Sequence, residues 1–324
     1  MSIFLILFTY ATWTTIFALG KQTLEFCSPL FLTSTRMILA GILLLSYLAI
    51  CKPHFLKIQK KHIFPLILLA FLCMYLSNFF EFWGMKHGLS AAKTCFIYSL
   101  SPFFAVFFSY MHFNEKMNIR KWLGMLVGFF GVISSFLFQS ESEKSIGGIG
   151  FISWPELSLC AATLCSVYGW VLLRLLVKEE SNQKSLSPLF VNGSTMLLGG
   201  IFALIHSFFI DSWSPLPVPL AHLGVFAREI LLMTFISNIL CYNLYGYLLK
   251  KFTNTILSFF GLLSPFFSSL SAWWILGEKP SLVICLSTCV VLLGLWIVYR
   301  EELRLGYVQK SLRKEKALQA NFDN

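Results

Sequence analysis

Two charged residues, Arg36 and Glu81, lie inside long apolar stretches of the sequence, and Asn78 lies about one helical turn before Glu81. A charged side chain at membrane depth costs on the order of 3 kcal/mol, so it is expected to have a partner or a function. A guanidinium could bind the carboxylate, and a carboxylate the ammonium group, of an amino-acid-like ligand. The alternatives are a structural ion pair between neighbouring helices and snorkelling of each side chain to the membrane surface.

Aromatic and amide side chains share helix faces within several other apolar stretches. Asn238, Tyr242 and Tyr245 follow the spacing i, i+4, i+7, which places residues on one face of a helix. Aromatic rings there could stack on a purine and hold a cation by cation–π attraction. The alternative is packing between helices or an interfacial belt. The candidate ligand-binding residues chosen from such positions are Trp13, Phe17, Tyr75, Tyr168, Asn238, Tyr242 and Asn243.

Pro102 and Pro265 interrupt two further apolar stretches. Proline removes one helical hydrogen bond and frees the carbonyl four residues before it, here at Tyr98 and Gly261. Paired interruptions in corresponding helices are typical of a binding site near the middle of the membrane, and packing kinks are the alternative. The candidate ligand-binding residues beside these prolines are Tyr98, Ser101 and Ser264.

The composition indicates that these residues lie in a membrane. Hydrophobic residues make up 57% of the 324 residues and charged residues only 12%, about half the charged share of a typical soluble domain. That balance excludes a soluble globule, which needs a charged surface, and it excludes a disordered chain, which needs a polar composition.

Ten stretches of the sequence are long enough for a transmembrane helix of about 20 residues. Alternating β-barrel patterning is absent, so helices are the structure that can span the bilayer here. The sequence therefore predicts an all-α integral membrane protein with ten transmembrane helices. The predicted spans are residues 3–20, 29–50, 63–83, 94–113, 122–139, 155–176, 188–210, 230–249, 255–276 and 281–299.

The formal net charge is +10, from 25 Lys and Arg against 15 Asp and Glu. With ten spans, most of the Lys and Arg in the loops fall on the same side as the N-terminus, together with the basic tail. Because basic loops stay in the cytoplasm, both termini are predicted to be cytoplasmic. The positive charge is then a topology signal, and the expected surroundings are a lipid bilayer and not a nucleic acid.

The two halves of the sequence resemble each other. The motif Ser-Pro-Phe-Phe at 101–104 recurs at 264–267, and Ser-Pro-Leu at 28–30 recurs at 187–189. Each half holds five predicted spans, an odd number, so the second repeat would cross the membrane in the opposite direction. Two inverted repeats are a transporter architecture with the site between them. The expected division is a first five-helix repeat at 1–140, a linker at 141–154, a second five-helix repeat at 155–299 and a basic cytoplasmic tail at 300–324.

Each half also has a proline within its fourth helix, a glutamate at the end of that helix and glycine in the fifth. The residues in this pattern are Pro102, Glu115, Gly124, Gly128, Gly131, Pro265, Glu278 and Gly294. The pattern resembles the EamA type of the drug/metabolite transporter superfamily over nearly the whole chain, up to about Arg300. The resemblance implies ten helices in two inverted repeats, and a secondary transporter of the bacterial inner membrane that works by alternating access. Thr195 stands where a second Arg36 would fall, so any role of Arg36 is confined to one half.

Residues 18–25 and 93–100 of this phenylalanine-rich chain are similar to members of that family that carry S-adenosylmethionine and S-adenosylhomocysteine. The resemblance implies a small-molecule substrate, S-adenosylmethionine, taken up in exchange for S-adenosylhomocysteine. An amino-acid or drug exporter of the same superfamily is the alternative.

An integral membrane enzyme is the alternative from another class. The sequence has no His-Glu-x-x-His, no Gly-x-Ser-x-Gly and no phosphate-binding loop motif, each of which would indicate a catalytic site. We therefore expect no enzymatic activity, no metal and no cofactor, and transport that is facilitated, by exchange or ion-coupled. A homodimer is left open, because Gly124 and Gly128 allow close helix packing but form too short a motif to predict one.

Overall fold

The computed structural model describes residues 2–56, 58–113, 118–136, 145–149, 152–177, 186–252 and 254–276, and also 286, 289–290, 292–294, 296–297, 300–301 and 304. The regular structure of these residues is almost entirely helical. The strands among them form one short antiparallel hairpin between the two halves, β1 (Gly148–Ile149) and β2 (Ile152–Ser153), in which Gly148 lies opposite Ser153.

The helices of the first half cover the first five predicted spans, the fifth of them as far as residue 136. They are α1 (Ser2–Trp13), α2 (Thr15–Leu24), α3 (Pro29–Cys51), α4 (Lys60–Leu69), α5 (Ser77–Lys86), α6 (Ala91–Tyr98), α7 (Ser101–Phe113) and α8 (Ile119–Phe136).

The helices of the second half cover the next four predicted spans, whereas the tenth, 281–299, lies largely outside the described residues. They are α9 (Trp154–Val177), α10 (Pro188–Ile210), α11 (Leu223–Met233), α12 (Tyr242–Lys251), α13 (Asn254–Phe260) and α14 (Ser264–Leu276).

Seven helical segments of the described residues are long and apolar enough to cross a membrane. They confirm the predicted class, an all-α membrane protein that crosses the bilayer several times, and the count of ten helices stays a prediction. The segments are Phe4–Leu24, Pro29–Cys51, Lys60–Lys86, Lys93–His112, Trp154–Val177, Pro188–Ile210 and Leu220–Lys251.

Serine residues cap several of these helices. Ser28 accepts a hydrogen bond from the Phe31 amide at 3.1 Å and precedes Pro29 at the first position of α3, an arrangement that suits a helix start. The start of α9 is a reciprocal cap, in which the Glu156 carboxylate accepts from the Ser153 amide at 2.6 Å. Glu156 is buried and also pairs with Lys93 at 2.7 Å, so this cap ties α9 to α6.

Close packing of α3 against α10 joins the two halves. A Cβ atom on Gly41 would lie 2.6 Å from the backbone nitrogen of Leu197, and one on Gly200 would lie 2.8 Å from that of Ile38. These two glycines hold equivalent positions in the repeated sequence. Because helices in a membrane associate through van der Waals packing, small residues at such a crossing allow the backbones to approach closely.

The spans that surround the centre of the molecule are interrupted. Thr14 separates α1 from α2, and residues 99–100 separate α6 from α7. A 3₁₀ turn, Gly261–Leu263, joins α13 to α14. Two π-helical segments, Ala70–Leu76 and Thr234–Cys241, join α4 to α5 and α11 to α12. π-Helical turns are rare and concentrate at functional sites, so their presence in corresponding spans of both halves directs attention to the space between them.

The α3–α10 crossing leads to a prediction about stability. Gly41→Ala should lower the free energy of unfolding by about 1–3 kcal/mol, because the added methyl group meets backbone atoms that cannot rotate away. Thermal unfolding in detergent, followed by tryptophan fluorescence, would show a lower midpoint. The matched control is Gly224→Ala on α11, where a Cβ atom meets nothing within 4 Å. Equal midpoints for wild type and both variants would contradict this description of the crossing.

Candidate functional site

A cavity lies where the interrupted helices meet. Concave sites lined by apolar and aromatic side chains with a few polar groups are typical of small-molecule binding. The walls of this cavity come from both halves, and most lining residues lie within the long apolar segments. The cavity therefore lies inside the membrane-spanning part of the molecule. The predicted residues that line it are Trp13, Phe17, Arg36, Asn78, Glu81, Tyr98, Ser101, Tyr242 and Ser264.

Arg36 on α3 is 2% exposed and is one of the residues that line the cavity. Its Nη2 donates a hydrogen bond to Oδ1 of Asn78, and the guanidinium carbon lies 4.7 Å from the centre of the Phe82 ring. Its Nε and Nη1 have no hydrogen-bond partner among the described residues. The side chain is thus held on one edge and on one face, while two of its nitrogen atoms are buried without a partner among the described residues.

The π-helical segment Ala70–Leu76 explains how Asn78 is oriented. The Asn78 amide nitrogen donates to the carbonyls of Cys73 at 2.9 Å and Met74 at 3.2 Å, both within that segment. Because Nδ2 is engaged by two backbone carbonyls, Oδ1 is left facing Arg36 as an acceptor. The local irregularity of the helix therefore positions the guanidinium through Asn78.

Glu81, one turn after Asn78, supplies a negative group to the same cavity. It is 8% exposed, and its Oε2 accepts a hydrogen bond from the Tyr98 hydroxyl at 2.6 Å. The ion pairs found among the described residues do not include Arg36 with Glu81. The two opposite charges border one space without a direct contact between them.

The two spans that contain a proline present polar backbone beside the cavity. The carbonyl of Tyr98 accepts a hydrogen bond from the Ser101 hydroxyl, and that of Gly261 accepts one from the Ser264 amide. Both carbonyls freed by proline are therefore satisfied by the residue three positions later. All four of these residues line the cavity, whereas Pro102 and Pro265 themselves are not part of its described wall.

Four rings form an aromatic wall, defined as Trp13, Trp170, Tyr242 and Tyr245. Trp13 comes from the first half, and its ring centre lies 5.6 Å, 5.0 Å and 5.7 Å from the other three, in that order. Trp170 and Tyr245 are 4.5 Å apart. Each ring borders the cavity. The wall therefore offers flat, electron-rich surfaces that are contributed by both halves.

Tyr75 and Tyr168, which were predicted to bind ligand, lie outside the cavity. The Tyr75 hydroxyl is 2.8 Å from Nδ1 of His206 on α10, so this side chain points between helices. The ring of Tyr168 packs 4.9 Å from that of Phe108 on α7. For both residues the structure corresponds to the alternative of aromatic packing.

Asn238 and Asn243 also lie outside the cavity, because their amides are used between helices. The Asn238 amide nitrogen donates to the sulfur of Met37 at 3.0 Å. Asn243 accepts from Asn192 at 3.0 Å and donates to the carbonyl of Ile239 at 2.8 Å. These contacts link the π-helical segment Thr234–Cys241 to α3 and link α12 to α10. Neither asparagine is among the lining residues, and Oδ1 of Asn238 has no partner among the described residues.

The π-helical segment Thr234–Cys241 explains the position of Asn238. The prediction assumed that residues four apart share a face, which holds for an α-helix. In a π-helix the hydrogen bonds run to the fifth residue, and the residue five positions before Tyr242 is Ser237, which does line the cavity. The wider turn thus exchanges Asn238 for Ser237 on the cavity face.

Several lining residues were not predicted. The Ser-Asn pairs at 77–78 and 237–238 recur in both halves, so the repeat was an available signal for Ser77 and Ser237. Tyr245 shares a helix face with Tyr242, which was an available signal too. The remaining residues have no signal that distinguishes them in an apolar, aromatic-rich chain, and they are Tyr10, Thr14, Ile16, Cys95, Ser166, Val167, Trp170 and Ser258.

The chemistry available at this site is recognition of a ligand. Among the residues that the structure describes, no group of three or more His, Cys, Asp or Glu is placed to hold a metal ion. The cavity offers a guanidinium with unused donors, a carboxylate, serine hydroxyls and an aromatic wall. Such a set fits a ligand that carries a carboxylate, an ammonium group and an aromatic ring.

Comparison with known proteins identifies the family. The EamA-like transporter family matches residues 1–137 and 153–300. The S-adenosylmethionine/S-adenosylhomocysteine transporter of Chlamydia muridarum is 39% identical over 96% of this chain and 95% of its own. That of Chlamydia trachomatis serovar D is also 39% identical, over 96% of this chain and 93% of its own. An uncharacterized transporter of Archaeoglobus fulgidus is 24% identical over 90% of this chain and 96% of its own.

A solved crystal structure shares the fold, with a TM-score of 0.69 and 16% identity over 93% of this chain and 97% of its own. At that identity the likeness concerns the fold alone. Two family matches cover most of the sequence, and curated relatives align along nearly its full length. The chain belongs to the EamA-like transporter family.

Proposed function

We propose that this chain is a secondary transporter of the bacterial inner membrane that takes up S-adenosylmethionine in exchange for S-adenosylhomocysteine. The observation that carries the proposal is the pair Arg36 and Glu81, two buried and opposite charges that border one cavity within the membrane-spanning part without contacting each other. The names of the chlamydial relatives give the substrate. A scaffold without a ligand offers no reason to hold an arginine with unused donors at this depth.

The substrate fits the cavity by its two ends. The methionine end of S-adenosylmethionine carries a carboxylate and an ammonium group, which suit Arg36 and Glu81 as charge-assisted partners. The adenine ring suits the aromatic wall, because bases stack on aromatic side chains. The sulfonium is a cation, and cations are attracted to the faces of tryptophan and tyrosine rings.

Exchange follows from what the two metabolites share. S-adenosylhomocysteine lacks the methyl group and the sulfonium charge but keeps the amino-acid end and the adenine ring. Both ligands therefore engage Arg36, Glu81 and the rings, and the return of the carrier with either one needs no further energy source. No cofactor and no enzymatic step enter this scheme.

The two halves supply the moving parts in this proposal. Residues 1–140 and 155–299 act as inverted five-helix repeats, joined by a linker at 141–154, and rock about the cavity between them. The tail at 300–324 lies in the cytoplasm. A single chain lines the cavity from both halves, so the transport unit needs no second copy, and the surrounding partner is the lipid bilayer.

The direct test is uptake of radiolabelled S-adenosylmethionine into bacteria that normally exclude it, with and without this chain. We expect saturable uptake that is inhibited by external S-adenosylhomocysteine and accelerated when cells are preloaded with it. Unlabelled amino acids are included as competitors, because inhibition by them would favour the alternative function, an amino-acid exporter. No uptake by a correctly inserted protein would contradict the proposal, and efflux of amino acids would then favour the exporter.

Neutral replacement of the charged pair should weaken transport. Arg36→Gln and Glu81→Gln should each raise the KM for S-adenosylmethionine about 10- to 100-fold. A hydrogen bond to a charged group contributes about 1.5–3 kcal/mol, and each 1.4 kcal/mol is about tenfold in affinity. The control is Arg120→Gln, since the Arg120 side chain is 55% exposed and lies outside the cavity. Unchanged KM in the cavity variants at normal membrane levels would overturn the ligand role.

The proposed orientation has its own test. A fluorescent protein that matures in the cytoplasm should fluoresce when it is fused after residue 324. Alkaline phosphatase, which is active outside the cytoplasm, should be active when it is inserted in the loop at 211–219. The basic loops predict this pattern, and the reverse pattern of the two reporters would show the opposite orientation.

A further inference from the structure

Ser237 is a cavity residue with an unused hydroxyl. It lies in the π-helical segment Thr234–Cys241, is 1% exposed and lines the cavity. Its Oγ has no hydrogen-bond partner among the described residues. Buried polar groups in native proteins nearly always have a partner, so a hydroxyl without one, on a residue that lines a cavity, points to a contact made when the ligand is bound.

Ser237 and Arg36 lie at the same level of the molecule. Their chain neighbours touch, because the Asn238 amide donates to the Met37 sulfur at 3.0 Å. Both Ser237 and Arg36 border the same cavity. The junction of α3 with this π-helical segment therefore brings Ser237 and Arg36 to the wall of one cavity.

The unused atoms of the two cavity residues at this junction are all able to donate. Nε and Nη1 of Arg36 are donors only, and the Ser237 hydroxyl is able to donate. The unused acceptor nearby, Oδ1 of Asn238, belongs to a residue outside the cavity wall. Donors without acceptors next to a positive charge define a site for an anionic oxygen group. Nη2 of Arg36 already donates to Asn78, so the guanidinium cannot offer all of its N–H groups to a ligand. An anion with two oxygens therefore needs a further donor.

A carboxylate suits this site better than a phosphate. One guanidinium supplies a single positive charge, which a carboxylate balances and a doubly charged phosphate exceeds. Glu81 also borders the cavity and disfavours additional negative charge there. The anion that fits carries one charge and two oxygens.

We propose that Ser237 and Arg36 together form the carboxylate subsite of this carrier. Arg36 binds one carboxylate oxygen through an unused guanidinium N–H, and the Ser237 hydroxyl donates to the other. The proposal rests on the proposed function and adds a residue from the second half to the amino-acid end of the site. The substrate carboxylate then bridges the two halves, so its binding depends on how they are arranged.

Among the described residues the subsite exists once, and it fixes the direction of the ligand. Thr195 replaces Arg36 in the second repeat, and its hydroxyl donates to the Val191 carbonyl of its own helix at 2.7 Å. A mirrored carboxylate site on that side is therefore absent among the described residues. The cavity between the inverted repeats therefore has a carboxylate subsite at one end, and the substrate binds in a single orientation.

The test measures binding to the purified full chain by quenching of tryptophan fluorescence, since Trp13 and Trp170 border the cavity. The probes are S-adenosylmethionine and its decarboxylated analogue, which lacks the carboxylate and keeps the rest. Ser237→Ala should weaken binding of S-adenosylmethionine about tenfold, the loss expected for one hydrogen bond to a charged group. It should leave the affinity for the decarboxylated analogue unchanged.

Two further variants serve as controls in this experiment. Ser237→Thr keeps a hydroxyl and should retain more affinity for S-adenosylmethionine than Ser237→Ala does. Ser194→Ala removes a hydroxyl from α10 that bonds to its own helix at Phe190, and it should bind both probes like wild type. Equal weakening of both probes by Ser237→Ala, or no weakening of either, would overturn the subsite while the proposed function stands. A wild-type protein that binds neither probe would overturn the proposed function and the subsite with it.

Discussion

A guanidinium buried in the middle of a membrane protein is the constraint on which the rest of the site depends. The Arg36 side chain is 2% exposed, and a charge at that depth is stable only with partners that hold it. An irregular helix positions the hydrogen-bond partner of Arg36. The π-helical segment Ala70–Leu76 offers the carbonyls of Cys73 and Met74, these orient Asn78, and Asn78 orients the guanidinium. The result is a fixed positive group beside the cavity, with two further donors that have no partner among the described residues.

The two halves contribute unequal parts to this arrangement. The repeated glycines at the α3–α10 crossing hold the halves in close contact, and the repeated Ser-Pro motifs start α3 and α10. Both halves also contain a π-helical span and a span broken before proline. The charged residues do not follow the symmetry, since the position of Arg36 in the first repeat is occupied by Thr195 in the second. A symmetric frame with an asymmetric charge pair is suited to alternating access with a ligand held in one orientation.

The membrane class and most helices follow from the sequence because length, apolar composition and the repeat are local properties. Arg36 and Glu81 could be predicted because charge is rare inside apolar stretches, and Asn78 could be predicted because it lies one helical turn before Glu81. The aromatic residues were harder, since Tyr168 and Trp170 look alike by type and only the packing of α9 separates them. Asn238 was predicted to line the site because α-helical spacing was assumed. The π-helical turn that places Ser237 there instead contains no glycine or proline from which it could be predicted. The capping of α9 by Glu156 could be predicted from the local sequence, but the ion pair of Glu156 with Lys93 depends on long-range packing.

In the proposed mechanism, the unpartnered donors of Arg36 bind the carboxylate of the transported substrate. The decisive experiment is a structure of the full chain in a membrane mimetic with S-adenosylmethionine bound. We expect a carboxylate oxygen within about 3 Å of Nε or Nη1 of Arg36, the ammonium group beside Glu81 and the adenine ring against the aromatic wall. A ligand bound outside the cavity, or bound with its adenine end at Arg36, would contradict this mechanism.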